Sequence, residues 1–291
     1  MPDATDAVPF QRVAILGTGL IGGSFGLALR REFPHIAIVG FDRPEVLAAA
    51  RAREAIEETA KDIPAAIRGA DLVYVALPIG ATIDALPAIA SATKQGSLIT
   101  DTGSTKVVIG RAAQRAFRGG ARFLGGHPMS GKEASGIDEA DPDLFRGARY
   151  ALIGSPDDAD PRVQGFAALL RTLGAEPVWC DAETHDWAVG IVSHLPQLLA
   201  VALARVVLDE TDETGLPLTL AGPGLQDMVR LAGSPYGLWR DIAHTNTENI
   251  SHALNRLEQA VEHLRTRLTS KELEQEFTAA NEIYRLLKKE G

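Results

Sequence analysis

His127 follows the apolar run Arg122-Phe123-Leu124-Gly125-Gly126 and opens a glycine-rich loop that ends at Gly136. Imidazole can take a hydroxyl proton near neutral pH, and strand exits are where an open α/β sheet gathers its reactive groups. Ser104 leaves the neighbouring run Ser97-Leu98-Ile99-Thr100-Asp101 in the same way. Its hydroxyl can hydrogen-bond the oxygen that His127 serves, or it can cap a helix starting at Thr105. His194, in Ser193-His194-Leu195-Pro196-Gln197, lies in a long helical stretch that Pro196 kinks or opens irregularly, and by itself it reads as a satisfied core histidine. Arg230 comes three residues after Asp227, which allows either a surface ion pair or a clamp for a substrate carboxylate. Glu183, His185 and Asp186 are too close in sequence for metal ligands on one helix face, and no distant Cys/His set supports them. They read as helix capping and solvation, and no metal site is expected.

The elements that must position these groups start with Arg12-Val13-Ala14-Ile15-Leu16, a strand running straight into Gly17-Thr18-Gly19-Leu20-Ile21-Gly22 and a helix. Gly17 permits the tight turn, Gly19 lets the backbone approach a pyrophosphate, and Gly22 lets the helix pack on the strand. The first N–H groups of that helix, at Leu20 and Ile21, face the phosphates. About twenty residues further on, Asp42 closes a second apolar run and can accept hydrogen bonds from an adenosine ribose. That carboxylate favours NAD over NADP, a preference that Arg43 beside it softens. Leu77 and Pro78 end a third buried strand on the same edge and border the nicotinamide half of the cofactor.

Between these strands the pattern predicts a helix from Pro44 to about Ala60 and another interrupted at Pro87, then a helix ending near Gly119-Gly120. Strands follow from Ala148 to Ile153 and from Glu176 to Cys180, with a helix around Val163 to Leu173 between them. From Ala182 no strand is evident. A long amphipathic helix to about Asp209 leads through a Gly/Pro loop to a helix ending at Ala232, and further helices run from Pro235 to Ser270 and to the end. The expected organisation is a doubly wound, Rossmann-type NAD-binding domain over residues 1–181 and an all-α substrate-binding and dimerisation domain over 182–291. A helical half with little room for its own core suggests packing against a second copy, a homodimer.

Composition narrows the field. With 291 residues, 45% apolar and 23% charged, the chain reads as a soluble two-domain protein, and a formal charge of −9 without a Lys/Arg block argues against a nucleic-acid partner. Cys180 is the only cysteine, so an internal disulfide and a cysteine zinc site are excluded and a reducing compartment fits. The first residues lack the basic and apolar regions of a signal peptide, and no apolar run is expected to be long enough to span a bilayer. A cytoplasmic location follows, with no membrane partner.

Together the motifs resemble the prephenate/arogenate dehydrogenase family of tyrosine biosynthesis, from Arg12 to about Leu268. The resemblance is carried by Gly17 to Ser24, Asp101-Thr102-Gly103-Ser104-Thr105-Lys106, Gly126-His127-Pro128-Met129-Ser130-Gly131, Ser193-His194-Leu195-Pro196, and Asp227-Met228-Val229-Arg230 with Trp239-Arg240-Asp241-Ile242. It implies NAD-dependent oxidative decarboxylation of prephenate to 4-hydroxyphenylpyruvate, carbon dioxide and NADH, or the same reaction on arogenate giving tyrosine. Carried over by position, His127 is the base and Ser104 its partner on the ring hydroxyl. Arg230 holds a substrate carboxylate, His194 positions the substrate, and Glu133 joins the surrounding polar network.

Two positions depart from the family pattern. Gln197, expected among the substrate-binding residues, stands where many relatives have the second histidine of His-Leu-Pro-His, and glutamine can donate a hydrogen bond but carries no charge. Gln226 stands where some members have a basic residue. Nothing in the sequence is a committed acidic partner for the ammonium of arogenate, which favours prephenate. Two rival readings remain: a β-hydroxyacid or imine-reducing dehydrogenase, which relies on a helix-borne lysine, and an NAD-binding redox sensor, which needs the glycine loop but neither His127 nor Arg230.

Overall fold

The computed structural model describes residues 8–118, 120–131, 135–211 and 213–289. β1 (Arg12–Leu16) is buried at all but its first residue, as expected of an interior parallel strand. α1 (Leu20–Glu32), β2 (Ala37–Phe41), α2 (Pro44–Ala52), β3 (Glu58–Thr59), α3 (Ile63–Ile67), β4 (Leu72–Val75), α4 (Ile79–Ala92), β5 (Leu98–Asp101), α5 (Val107–Ala116) and β6 (Arg122–Pro128) follow. β7 (Arg149–Ile153), α6 (Pro161–Thr172) and β8 (Glu176–Cys180) complete the sheet.

The strand order is β3-β2-β1-β4-β5-β6-β7-β8. The chain winds outward from β1 to β3, then crosses back to β4, so the order reverses between β1 and β4 and opens a crevice at their C-terminal ends. Neighbours are parallel except β6 and β7. The β6–β7 link holds only a 3₁₀ turn, Ile137–Glu139, among the described residues, whereas α6 supplies the crossover that makes β7 and β8 parallel. Alternate residues face opposite layers. Val13, Ile15, Leu72 and Tyr74 join the core with Phe25, Phe145 and Phe166, while Ala14, Leu16, Val73 and Val75 join the one with Ile67 and Ile89.

The structure corrects several local expectations. α2 stops at Ala52 rather than near Ala60, because Glu54 takes a left-handed conformation (φ 61°). Ala55 N–H then donates to Ala50 O and Glu54 N–H to Arg51 O, a Schellman ending with glutamate where glycine is usual. The released chain forms β3 and α3. α4 runs through Pro87 without ending there.

Every described element after Cys180 is helical. α7 (Ala182–Val189), a π turn at Gly190–His194 and α8 (Leu195–Asp209) stack end to end, with Leu195 N–H reaching back to Gly190 O. This is the irregular turn that Pro196 marks. The stack Ala182–Asp209 is 28 residues, long and apolar enough by composition to cross a membrane, which corrects the expectation that no run reaches that length. α9 (Leu216–Thr219), α10 (Pro223–Val229), a 3₁₀ turn at Arg230–Gly233, α11 (Tyr236–Thr245), α12 (Thr247–Thr266) and α13 (Leu273–Lys289) follow. The stretch expected as one helix from Pro235 to Ser270 is broken at Asn246, whose side chain is committed elsewhere. Ile79 and Ile109 from the sheet's helices pack with Ile242 and Ile250, joining α4 and α5 to α11 and α12.

Candidate active site

Gly17 has φ +90°, and a Cβ there would lie 2.3 Å from Ala76 O, so only glycine lets the loop pass the end of β4. At Gly22 a Cβ would meet Gly17 O at 1.8 Å, while one at Gly19 would meet nothing within 4 Å. Open space therefore lies where a ligand would approach the backbone, and α1 begins at that point with no side-chain cap on its first N–H groups. Gly19, Leu20, Ile21, Leu77 and Pro78 line one cavity of about 470 Å³, which extends to Ser104 and His127. Such a cradle fits a dinucleotide pyrophosphate.

A second cavity, of about 420 Å³, lies between the sheet edge and the helices and is lined by Ser104, His127, Pro196, Gln197, Arg230 and Trp239 among others. Ser104, His127, Ser130 and Leu238 are among the residues that line both cavities. His127 thus stands where a molecule in one space would meet a molecule in the other.

His127 is nearly buried, and its Nδ1 lies 2.9 Å from His185 Nε2. His185 Nδ1 lies 2.8 Å from Asp186 Oδ1. A carboxylate only accepts, so His185 donates from Nδ1 and its Nε2 accepts. His127 must then donate from Nδ1, which leaves its Nε2 as the basic nitrogen. Burial, reinforced by the neighbouring His185, Lys106 and His194, holds the His127 ring well below the ordinary imidazole pKa. The ring is therefore neutral at physiological pH and able to accept a proton.

The two strand exits are locked together beneath it. Lys106 Nζ, fully buried, donates to Asp101 Oδ2 and, at 2.7 Å, to Gly126 O, the residue before His127. Asp101 also accepts from Gly103 N–H at 2.8 Å and Gly126 N–H at 3.2 Å. Burial pulls the lysine pKa down and Asp101 opposes this.

Asp186 belongs to this framework from the helical side. Its carboxylate accepts from Lys106 N–H at 2.7 Å and Val107 N–H at 2.9 Å, capping α5 across the chain. Ser104 is consequently not the cap of that helix; α5 starts at Val107, and the serine lines both cavities. His185 and Asp186 are buried rather than solvated, because one bonds His127 and the other caps α5, whereas Glu183 is exposed. They are the functional candidates that sequence reasoning missed. Their only local signal, adjacency in the first turns of α7, is also that of an ordinary solvated cap. No His/Cys/Asp/Glu group among the described residues could hold a metal.

His194 is buried behind the cavity wall, edge-on to Trp239 with ring centroids 5.8 Å apart. Asn246 Nδ2 lies 3.1 Å from its Nδ1 and 2.7 Å from Asp186 O, which is the commitment that breaks the helix at that residue. Burial holds His194 down to about 4, with Asp186 opposing. His194 Nε2, Trp239 Nε1 and Ser130 Oγ are buried without a hydrogen-bond partner, and Trp239 and Ser130 line the second cavity. Buried polar atoms of this kind call for an acceptor or donor from outside the chain.

Gln197 lines the second cavity and is held within the protein at both ends of its amide: Nε2 donates to Leu231 O at 2.7 Å, and Oε1 accepts from Ser234 Oγ at 3.3 Å. It ties α8 to the turn that carries Arg230. Asp42 sits at the end of β2, where Oδ2 accepts from Thr18 N–H at 2.7 Å, steadying the glycine loop. Arg43 points to solvent beside Glu45. Glu133 lies outside the described residues.

Residues 25–178 match the family model for prephenate dehydrogenase, nucleotide-binding domain, and residues 181–285 match that for prephenate dehydrogenase, dimerization domain. The chain is 36% identical to the prephenate dehydrogenase of Lactococcus lactis subsp. cremoris over 256 residues, 87% of this chain and 69% of that protein. It is 30% identical to the cyclohexadienyl dehydrogenase of Zymomonas mobilis over 267 residues, 90% of each. Among solved structures it is similar to a prephenate dehydrogenase from A. aeolicus in complex with hydroxyphenyl propionate and NAD+, with a TM-score of 0.85 and 28% identity over 95% of this chain and 97% of that one.

Proposed function

This chain belongs to the prephenate dehydrogenase family, and from that membership and its own site we propose that it oxidises and decarboxylates prephenate with NAD, giving 4-hydroxyphenylpyruvate, carbon dioxide and NADH. The observation that carries the reading is His127 at the junction of the two cavities, its tautomer set by His185 and Asp186.

Gly19, Leu20, Ile21, Leu77 and Pro78 hold the cofactor, with Asp42 toward its adenosine ribose; bound NAD supplies the hydride acceptor. His127 Nε2 takes the proton of the ring hydroxyl, and Ser104 orients that oxygen. The positive charge this creates on His127 is met through His185 by Asp186. Loss of the ring carboxylate as carbon dioxide then makes the ring aromatic, and the same oxygen regains its proton from His127. Prephenate and NAD go to the keto acid, carbon dioxide and NADH with no net proton released. The protein's work is mainly orientation and one reversible proton transfer.

Arg230 provides positive charge for a substrate carboxylate, and no Asp or Glu is among the described residues lining that cavity. A dianionic keto acid suits this lining better than arogenate, whose ammonium would lack an acidic partner. We read the protein as a cytoplasmic homodimer joined through the helical half. Supporting this are the dimerization-domain match and the apolar side chains that half exposes, among them Val206, Leu208, Leu220, Phe277 and Leu287.

The test is formation of NADH, followed by its absorbance, with prephenate or arogenate and with NAD or NADP. Turnover of prephenate with NAD supports the reading; a preference for arogenate would overturn the substrate assignment. His127→Ala should keep NAD binding and lose about 100-fold or more of kcat. Undiminished turnover would remove His127 as the base.

A further inference from the structure

The helices that follow β4 and β5 both start without a cap from their own segments. Asp186 supplies the acceptor for α5, as described above. For α4 it comes from α11: Asp241 Oδ2 accepts from Gly80 N–H at 3.1 Å, across the boundary between the sheet and the helical half. The carboxylate is well placed for this role, since Oδ1 is held by Arg240 at 2.8 Å and the side chain is only 14% exposed. A Cβ at Gly80 would lie 3.3 Å from Asp241 Oδ2, so glycine leaves room for the carboxylate over the first turn. An anion at this position also complements the positive end of the helix dipole.

What this bond connects gives it functional weight. Pro78 and Ile79, just before Gly80, line the cofactor cavity, and so do Gly237 and Leu238 at the start of α11. Leu238, Trp239 and Ile242 on the same helix line the substrate cavity, and Ile242 packs against Ile79. The first turn of α4 and the first turn of α11 thus line the same cavity, and Asp241 is a polar tie between the two helices.

We infer that Asp241 is a positioning residue which seats the first turn of α4 against α11 and so shapes the nicotinamide end of the cofactor cavity from the substrate-binding half. This rests on the reading of that cavity as the NAD site. Asp241 acts on the cofactor through α4; the adenosine end, at the glycine loop and Asp42, lies beyond its reach.

Calorimetric titration of the native protein, Asp241→Ala and Asp241→Asn with NAD and with ADP-ribose separates the two ends of the cofactor. Asp241→Ala should weaken NAD by about tenfold while leaving ADP-ribose within about twofold of native, because ADP-ribose lacks the nicotinamide. Asparagine keeps an oxygen able to accept from Gly80 N–H and should recover most of the NAD affinity. Native NAD affinity in Asp241→Ala, or equal weakening of NAD and ADP-ribose, would overturn the inference. If the native protein bound neither ligand, the cofactor reading itself would fall.

Discussion

Replacing His185 by leucine tests the tautomer relay more directly than any change to His127 itself. His185 lines neither cavity, so prephenate and NAD should bind as before. What disappears is the acceptor 2.9 Å from His127 Nδ1. In the ground state a buried N–H loses its partner, and the ring becomes free to place its proton on Nε2, where it is useless as a base. In the transition state the forming imidazolium loses its link to Asp186. A hydrogen bond to a charged group is worth about 1.5–3 kcal/mol. With about 1.4 kcal/mol to each factor of ten, kcat should fall by about ten- to 150-fold. The expected signature is a fall in kcat at constant KM, measured by initial rates of NADH formation over a range of prephenate and NAD concentrations. The fold should survive, because Asp186 still caps α5 through Lys106 N–H and Val107 N–H. His185→Gln sharpens the test, since its amide oxygen can accept from His127 Nδ1 without reaching Asp186, and its kcat should lie between native and leucine. A leucine variant with kcat within about threefold of native, or one whose loss lies in KM, would refute the relay.

Two further outcomes are expected. Arg230→Ala should raise KM for prephenate about tenfold or more with little change in KM for NAD; equal effects on both would reject the carboxylate contact. Stability should also fall on acidification. His194 titrates near about 4 when folded, against 6.5 ordinarily, so below 6.5 the unfolded chain binds the proton first and stability is lost as pH falls toward 4. The full shift corresponds to roughly 3 kcal/mol, and His127 acts in the same direction. Urea midpoints measured between about pH 7 and pH 4 should decline less in His194→Gln, and an identical decline would exclude this histidine as a source.

Much of this protein is readable in the order of its residues. The strands announce themselves because parallel interior strands must be apolar on both faces, and β1 and β4 supply alternate residues to the two cores. Gly17 and Gly22 are legible because close backbone approach tolerates no Cβ. Ser104 is legible because it follows a strand, and His127 because it comes at the end of an apolar run, although the fold extends β6 through His127 to Pro128 and pairs His127 with Ala151 of β7. Where a helix ends is readable only when the left-handed residue is a glycine. Gly174 closes α6 with the same pair of bonds that Glu54 makes at the end of α2, and only the first shows in the sequence.

Tertiary structure alone decided which polar groups meet. His185 reaches His127 across 58 positions and Asp186 caps α5 across about 80, so neither bond leaves a local pattern. Gln197 reads as a substrate contact by its place in a motif, and only the fold shows that, while lining the substrate cavity, it also uses both ends of its amide to hold the turn bearing Arg230. Periodicity and glycine spacing are set by forces acting within a few residues and are therefore written along the chain. A histidine's tautomer, a cap supplied from another helix and the meeting of two cavities depend on distances that exist only after the two halves have packed together.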